Sequence, residues 1–125
     1  MVFHVTAAED WRVAQATGEY RLSTRGKTLD QVGFIHCSNV DQVTRVANLI
    51  YRGEHSLVLL AISRERVVAP IRDEPTPSGE ERFPHVYGPL NLDAVVATIP
   101  FEPNVDGSFS LPEALSGHLR DSSRP

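Results

Sequence analysis

Apolar positions along the chain follow two rhythms, one of period two and one of three to four, and their order predicts the elements. Val2 to Thr6 reads as a short strand running straight into a helix whose apolar face carries Trp11 and Ala14, three apart. Thr6-Ala7-Ala8-Glu9 has the form of a capping box, in which the Thr hydroxyl takes an orphan N–H and Glu9 reaches back. Glu9 and Asp10 add negative charge to the positive helix end, and Gly18 is the expected stop. After a polar, irregular stretch over 20–30, Val32 to Cys37 forms the next strand. A second apparent cap follows at Ser38-Asn39-Val40-Asp41. Val40, Val43, Val46, Ala47 and Ile50 then repeat at three- and four-residue spacing, an amphipathic helix that Gly53 ends. Leu57 to Ile62 is an unbroken apolar run between Ser56 and Ser63, the pattern of a strand buried on both faces.

The second half is less regular. Val67 to Arg72 is a weak strand, placed at a sheet edge by Pro70. Five of the nine prolines fall in residues 70–89, which therefore reads as a long loop. Its ring-rich end, Phe83-Pro84-His85-Val86-Tyr87-Gly88-Pro89-Leu90, is too apolar for a solvent linker. Leu92 to Phe101 closes the core with a β-rich run. Beyond Glu102 the chain turns polar, giving a single domain over 1–102 and an extension over 103–125 that is partly disordered, above all at Asp121 to Pro125. The resulting order, β-α-β-α-β-β-loop-β with two helices in the N-terminal half, predicts a mixed α+β domain more than a doubly wound parallel sheet.

Composition narrows the function. At 125 residues the chain fits one domain and buries roughly two-thirds of its unfolded surface, so it needs no disulfide or metal staple. The single cysteine, Cys37, excludes an internal disulfide and fits a reducing cytoplasm. A net charge of −4 with no basic stripe disfavours binding to duplex nucleic acid. The six apolar residues from Leu57 are far short of the roughly 20 a bilayer span needs, so no membrane partner is expected. Met1-Val2-Phe3-His4 lacks the charged and apolar regions of a signal peptide. Neither G-x-G-x-x-G nor the Walker form occurs.

Histidine supplies most of the candidate chemistry. His4, His36 and His85 are each followed two residues later by a hydroxyl, at Thr6, Ser38 and Tyr87, and in an extended chain such pairs share a face. The first two pairs sit where a strand meets a helix start, so two imidazoles and two helix N-termini can line one cleft suited to a phosphate group. The plainer alternative makes Thr6 and Ser38 simple caps, with the histidines satisfied by backbone carbonyls. Cys37 and His36 point to opposite faces, which leaves Cys37 a small buried hydrophobe. A metal site from the three histidines is a further reading, but they lack compact ligand spacing and no metal is expected. His55 and His118 read as solvent-exposed. Glu74, beside the weak strand, is a cleft carboxylate or a loop charge; Glu80 and Glu81 read as a solvated pair, and Trp11 and Tyr20 as core. Arg21 and Arg25 are surface charges or contacts to an anionic ligand.

The residues His4 with Thr6, Trp11, Gly18-Glu19-Tyr20, Gly33-Phe34-Ile35-His36-Cys37-Ser38, Gln42, Glu74 and the run Phe83 to Leu90 resemble a small bacterial family, domain of unknown function nine-five-two, over about residues 2 to 101. That family resembles the ADP-ribosyltransferase fold, a small split β-sheet domain with a nicotinamide dinucleotide cleft. The resemblance implies NAD, or a related small phosphorylated nucleotide, as ligand or substrate. It makes His4-Val5-Thr6 similar to a first motif that contacts the cofactor ribose, and His36-Cys37-Ser38 similar to a second motif in its His form. The late Glu-x-Glu motif of the toxin branch is missing, and so are the arginines of the RNA 2′-phosphotransferase branch. Glu74 or His85 is left for the third catalytic position. The set implied is catalytic His36, His85 and Glu74, with His4, Thr6, Ser38 and Tyr87 binding the ligand. A transferase and a non-catalytic sensor of an anionic ligand both fit it.

Overall fold

The apolar run Leu57–Ile62 becomes β4, the central strand of the molecule, in the computed structural model, which describes residues 1–115. β4 lies between β1 (Val2–Ala7) and β8 (Val95–Phe101) in an antiparallel sheet. Its side chains alternate, as a strand's must. Leu60 and Ile62 enter one apolar core with Val2, Trp11, Tyr20 and Val86. Leu57, Leu59 and Ala61 enter a second core with Phe3, Val5, Val43 and Phe101. A fully covered Leu or Ile contributes about 2 kcal/mol each relative to exposure, so this strand anchors both halves of the fold.

Helix α1 (Ala8–Thr17) buries Trp11 and Ala14 and stops at Gly18, whose φ of 99° is the left-handed turn expected there. The polar stretch that follows holds the short strand β2 (Glu19–Tyr20) and a one-turn helix α2 (Leu29–Val32). A two-residue strand β3 (Ile35–His36) then leads toward helix α3 (Val43–Ile50). β5 (Ile71–Pro75) and β6 (Arg82–Val86) form a hairpin whose sheet order is β3-β6-β5. β7 (Leu90–Asn91) pairs with β2. Every pairing is antiparallel, which gives the α+β class predicted.

Several local expectations are corrected. Neither Thr6 nor Ser38 caps a helix. Thr6 stays in β1 opposite Val58, Ala7 precedes α1 without a side-chain cap, and Glu9 is held by the Arg12 guanidinium instead. Ser38 exchanges two backbone hydrogen bonds of 2.8 Å with Phe3, and α3 begins five residues later after a turn in which Gln42 and Val43 N–H both reach Asn39 O. The capping box that forms is Thr28 with Gln31, at the start of α2. Because α2 takes Val32, the strand expected over Val32–Cys37 shrinks to β3.

Half of the supposed loop over 70–89 is strand, β5 and β6. Its prolines sit where a ladder tolerates them: Pro75 ends the edge strand β5, and Pro84 lies outside the two residues at which β6 is flanked on both sides. Pro84 still accepts a bond from Cys37 N–H at 3.0 Å. Packing also runs past residue 102, since Phe109 stacks on Phe101 at 4.7 Å and Leu115 is buried beside it. His118 and Asp121 to Pro125 lie outside the described residues. No helix among the described residues is long and apolar enough to cross a membrane.

Candidate functional site

In the second sheet His36 of β3 pairs directly with His85 of β6, so the two imidazoles leave the sheet side by side. His36 Nδ1 lies 3.3 Å from His85 Nε2. On the other side of β6, Glu74 of β5 sits one step diagonal to His85, and its Oε1 is 2.9 Å from His85 Nδ1. The Tyr87 hydroxyl donates to the same oxygen. Alternation along the chain puts His85 and Tyr87 on one face, as the two-residue spacing predicted, and there both meet the Glu74 carboxylate. Phe34 stacks flat on His85, with centroids 3.9 Å apart and planes at 12°, and fixes its ring. Tyr87 and His85 bonding hold the Glu74 carboxyl below its usual range, and the bond to Glu74 raises the Tyr87 phenol.

The tautomers follow from these contacts. A carboxylate accepts only, so His85 Nδ1 carries the proton facing Glu74. In the tautomer that places the His36 proton on Nδ1, that N–H donates to His85 Nε2 and His36 Nε2 keeps a free lone pair. Burial, with His85 adjacent, lowers the His36 pKa from 6.5 to about 4, so His36 is uncharged at neutral pH. Its backbone N–H donates to Ser23 Oγ at 3.2 Å. His36 opens onto a cleft of about 330 Å³ that Ser23, Thr24, Lys27 and Phe34 also line. A groove of about 480 Å³ between α1 and β2 meets only Arg21 among the candidate ligand contacts and none of the histidines.

His4 and Thr6 lie beneath this cleft, 3 % and 4 % exposed. His4 Nδ1 donates to the His36 carbonyl at 2.6 Å, and His4 Nε2 lies 2.7 Å from the Tyr20 hydroxyl, which is also 2.8 Å from Thr6 Oγ1. Burial takes the His4 pKa down to about 4 and raises the Tyr20 phenol. Neutral His4, with its Nδ1 proton on a carbonyl, must accept at Nε2. The tyrosine proton therefore goes to His4, and Thr6 donates to the tyrosine oxygen. Ser38, 3 % exposed, lines a small interior pocket with His4 and His36. The structure therefore gathers His36, His85, Glu74 and Tyr87 into one chain, sets His4 and Thr6 in a second chain behind it, and leaves Ser38 at the joint.

Other candidates fall elsewhere. Cys37 is buried, and its thiol is pushed up to about 12, consistent with a core position. His55 is exposed and meets Glu102. Glu81 is a partly exposed charge that bonds Arg45 and faces Gln42. Arg21 is paired with Glu19 and Asp30, and Arg25 with Glu54. Among the described residues no three His, Cys, Asp or Glu side chains are grouped to hold a metal ion. The sequence pattern assigned no role to Ser23, Thr24 or Lys27, and Phe34 stood out only as part of the family-like run. Thr28-Leu29-Asp30-Gln31, a Ser/Thr-x-x-Gln signature, was the available signal that the segment before them folds back.

Protein CC0527 of Caulobacter crescentus has a similar fold. Its crystal structure aligns at a TM-score of 0.79 with 29% identity, over 95% of this chain and 97% of that one. Its solution NMR structure aligns at 0.73 with 30% identity, over 94% of each chain. No curated protein sequence matches significantly. The family described as "Protein of unknown function (DUF952)" matches residues 5–98, three-quarters of the sequence, and the chain belongs to that family.

Proposed function

We propose that the His36 cleft binds NAD or a related phosphorylated nucleotide, and that the protein is an ADP-ribosyltransferase-like enzyme of α+β, split-sheet architecture. The observation that carries this reading is the Glu74–His85–His36 chain ending at the cleft. A volume of about 330 Å³ lies at the lower end of small-molecule clefts, which suits one end of a dinucleotide, with the rest along the open lip.

Transfer of an ADP-ribosyl group breaks the bond between ribose carbon and nicotinamide nitrogen. The electron pair leaves with neutral nicotinamide, and an oxocarbenium-like ribosyl group remains for an acceptor that gives up a proton. In this reading His36 Nε2 accepts from a ribose hydroxyl and orients the sugar. An uncharged imidazole there adds no positive charge beside the developing cation. The Glu74 charge reaches the site through His85, so Glu74 positions and polarises rather than touching ribose. His4 and Thr6 act one layer back, by fixing the His36 carbonyl. Phe34 offers an aromatic wall.

A sensor that binds without turnover is the second reading. It is favoured by the low pKa of His36, since a general base works best with a pKa near the operating pH. Calorimetric titration with oxidised NAD, ADP-ribose and nicotinamide, run beside an assay for nicotinamide release, separates the two. Binding with release supports the transferase, binding without release the sensor, and no binding removes both. His36→Ala should abolish whichever binding is seen.

A further inference from the structure

We infer that the turn from Ser23 to Lys27 is a phosphoryl-binding subsite at the lip of the His36 cleft, with Lys27 as its cation and the Ser23 and Thr24 hydroxyls as donors. The inference rests on the cleft proposed above and names the part of the ligand this turn holds.

Lys27 is the only lysine in the chain. Arg12, Arg21, Arg25, Arg45 and Arg64 each face a carboxylate. Lys27 meets none among the described residues, and no acidic side chain lines the cleft it borders. In a protein with four excess negative charges, an uncompensated ammonium beside a cleft free of acids makes a local positive field.

Ser23 adds a buried hydroxyl beside this cation. It is 3 % exposed and lines the cleft, and its oxygen accepts from His36 N–H. Its own hydroxyl proton is left for an acceptor in the cleft. Thr24 adds another hydroxyl on the same wall. An ammonium and two hydroxyls around one cleft supply several donors, which suits the several acceptor oxygens of a phosphoryl group better than a single planar carbonyl.

The turn is also held ready. Ser23 N–H donates to Lys27 O at 2.6 Å, and Leu22 bridges Thr28 across the turn's base. Arg25 N–H donates to the Tyr51 hydroxyl at 2.8 Å, which secures a residue at φ 53°. Little order remains to be gained on binding. The helix-end phosphate sites expected at Thr6 and Ser38 do not form, and this turn stands in their place.

Inorganic pyrophosphate, followed by amide chemical shifts, tests the subsite directly. Shifts centred on residues 23–27 and His36 are expected, with affinity falling as salt rises. Lys27→Glu should weaken that affinity at least tenfold, and because Lys27 is exposed its remaining spectrum serves as the control for folding. Unmoved amides at 23–27, or equal affinity in Lys27→Glu, would overturn the inference. ADP-ribose separates it from the function proposed above. If ADP-ribose binds equally to both proteins, the subsite falls and the nucleotide reading stands. If pyrophosphate binding depends on Lys27 while ADP-ribose does not bind, the subsite stands and the nucleotide reading falls.

Discussion

At the scale of residues, the least replaceable group is the Tyr20 hydroxyl. It satisfies His4 Nε2 and Thr6 Oγ1 in a place water does not reach, and through His4 it fixes the His36 carbonyl. Tyr20→Phe keeps the ring in the core but strands both partners. Stranded buried groups cost about 1–3 kcal/mol, and equilibrium denaturation should show that loss. The same network makes stability depend on pH. His4 titrates near 6.5 when unfolded and near 4 when folded, so between those values the unfolded chain binds the extra proton. Stability is therefore full above pH 6.5 and falls as pH drops toward 4, by on the order of 3 kcal/mol from this group. Denaturation midpoints measured over that window should decline; His36, also lowered to about 4, adds a fall of its own, so His4→Gln should reduce the decline by about half while lowering stability throughout. Strand alternation made the pairs His4/Thr6 and His85/Tyr87 legible in the sequence. What it left dark was the third group of each, Tyr20 and Glu74, because both arrive from elements distant in the chain.

At the scale of elements, the strong signals were the ones that bury side chains. β4 and α3 stood out because continuous or periodic apolar residues leave one solution. The β5–β6 hairpin did not, since prolines hid it and its outer face is polar; only the register shows Pro75 and Pro84 at harmless positions. The two apparent caps failed for a different reason. A Ser or Thr before an acidic residue caps a helix only if the strand ahead releases it, and β1 and the Phe3–Ser38 bridge keep Thr6 and Ser38. The hairpin is tied back by Gln42, 6 % exposed, whose amide donates to Arg82 O at 2.8 Å and whose oxygen accepts from Asn39 N–H. Arg45 adds an exposed pair to Glu81, of small worth by itself. Gln42→Ala should thus cost about 1–2 kcal/mol and loosen the hairpin locally. Hydrogen exchange should quicken at residues 76–83 in that variant, while β4 amides keep their protection. A uniform loss of protection would mean that Gln42 supports the whole core.

At the scale of the molecule, β4 separates two cores, and the candidate site lies where the first sheet meets the second. There Phe3 and Ser38 exchange two backbone bonds, His4 Nδ1 donates to the His36 carbonyl, and Val2, Leu60 and Ile62 share a core with Ile35 and Val86. Cys37 is a built-in reporter of that seam. Its thiol is 1 % exposed, packs in the core that holds Trp11 and Leu60, and is pushed up to about 12 by burial. A thiol reagent needs the thiolate and a path to it. Both are withheld until the seam parts. If the two sheets part only when the cores dissolve, labelling should run slower than for the unfolded chain by roughly a thousandfold or more. Its rate should then climb with denaturant along the slope of global unfolding. A rate that barely responds to denaturant would instead show that the seam opens alone, with both cores intact. The site would then be a joint that breathes, and ligands entering the His36 cleft would slow labelling far more than they raise the unfolding midpoint. The Phe3–Ser38 bridge, the His4 bond to the His36 carbonyl and the core that both sheets share argue for the first outcome, a site as rigid as the cores on either side.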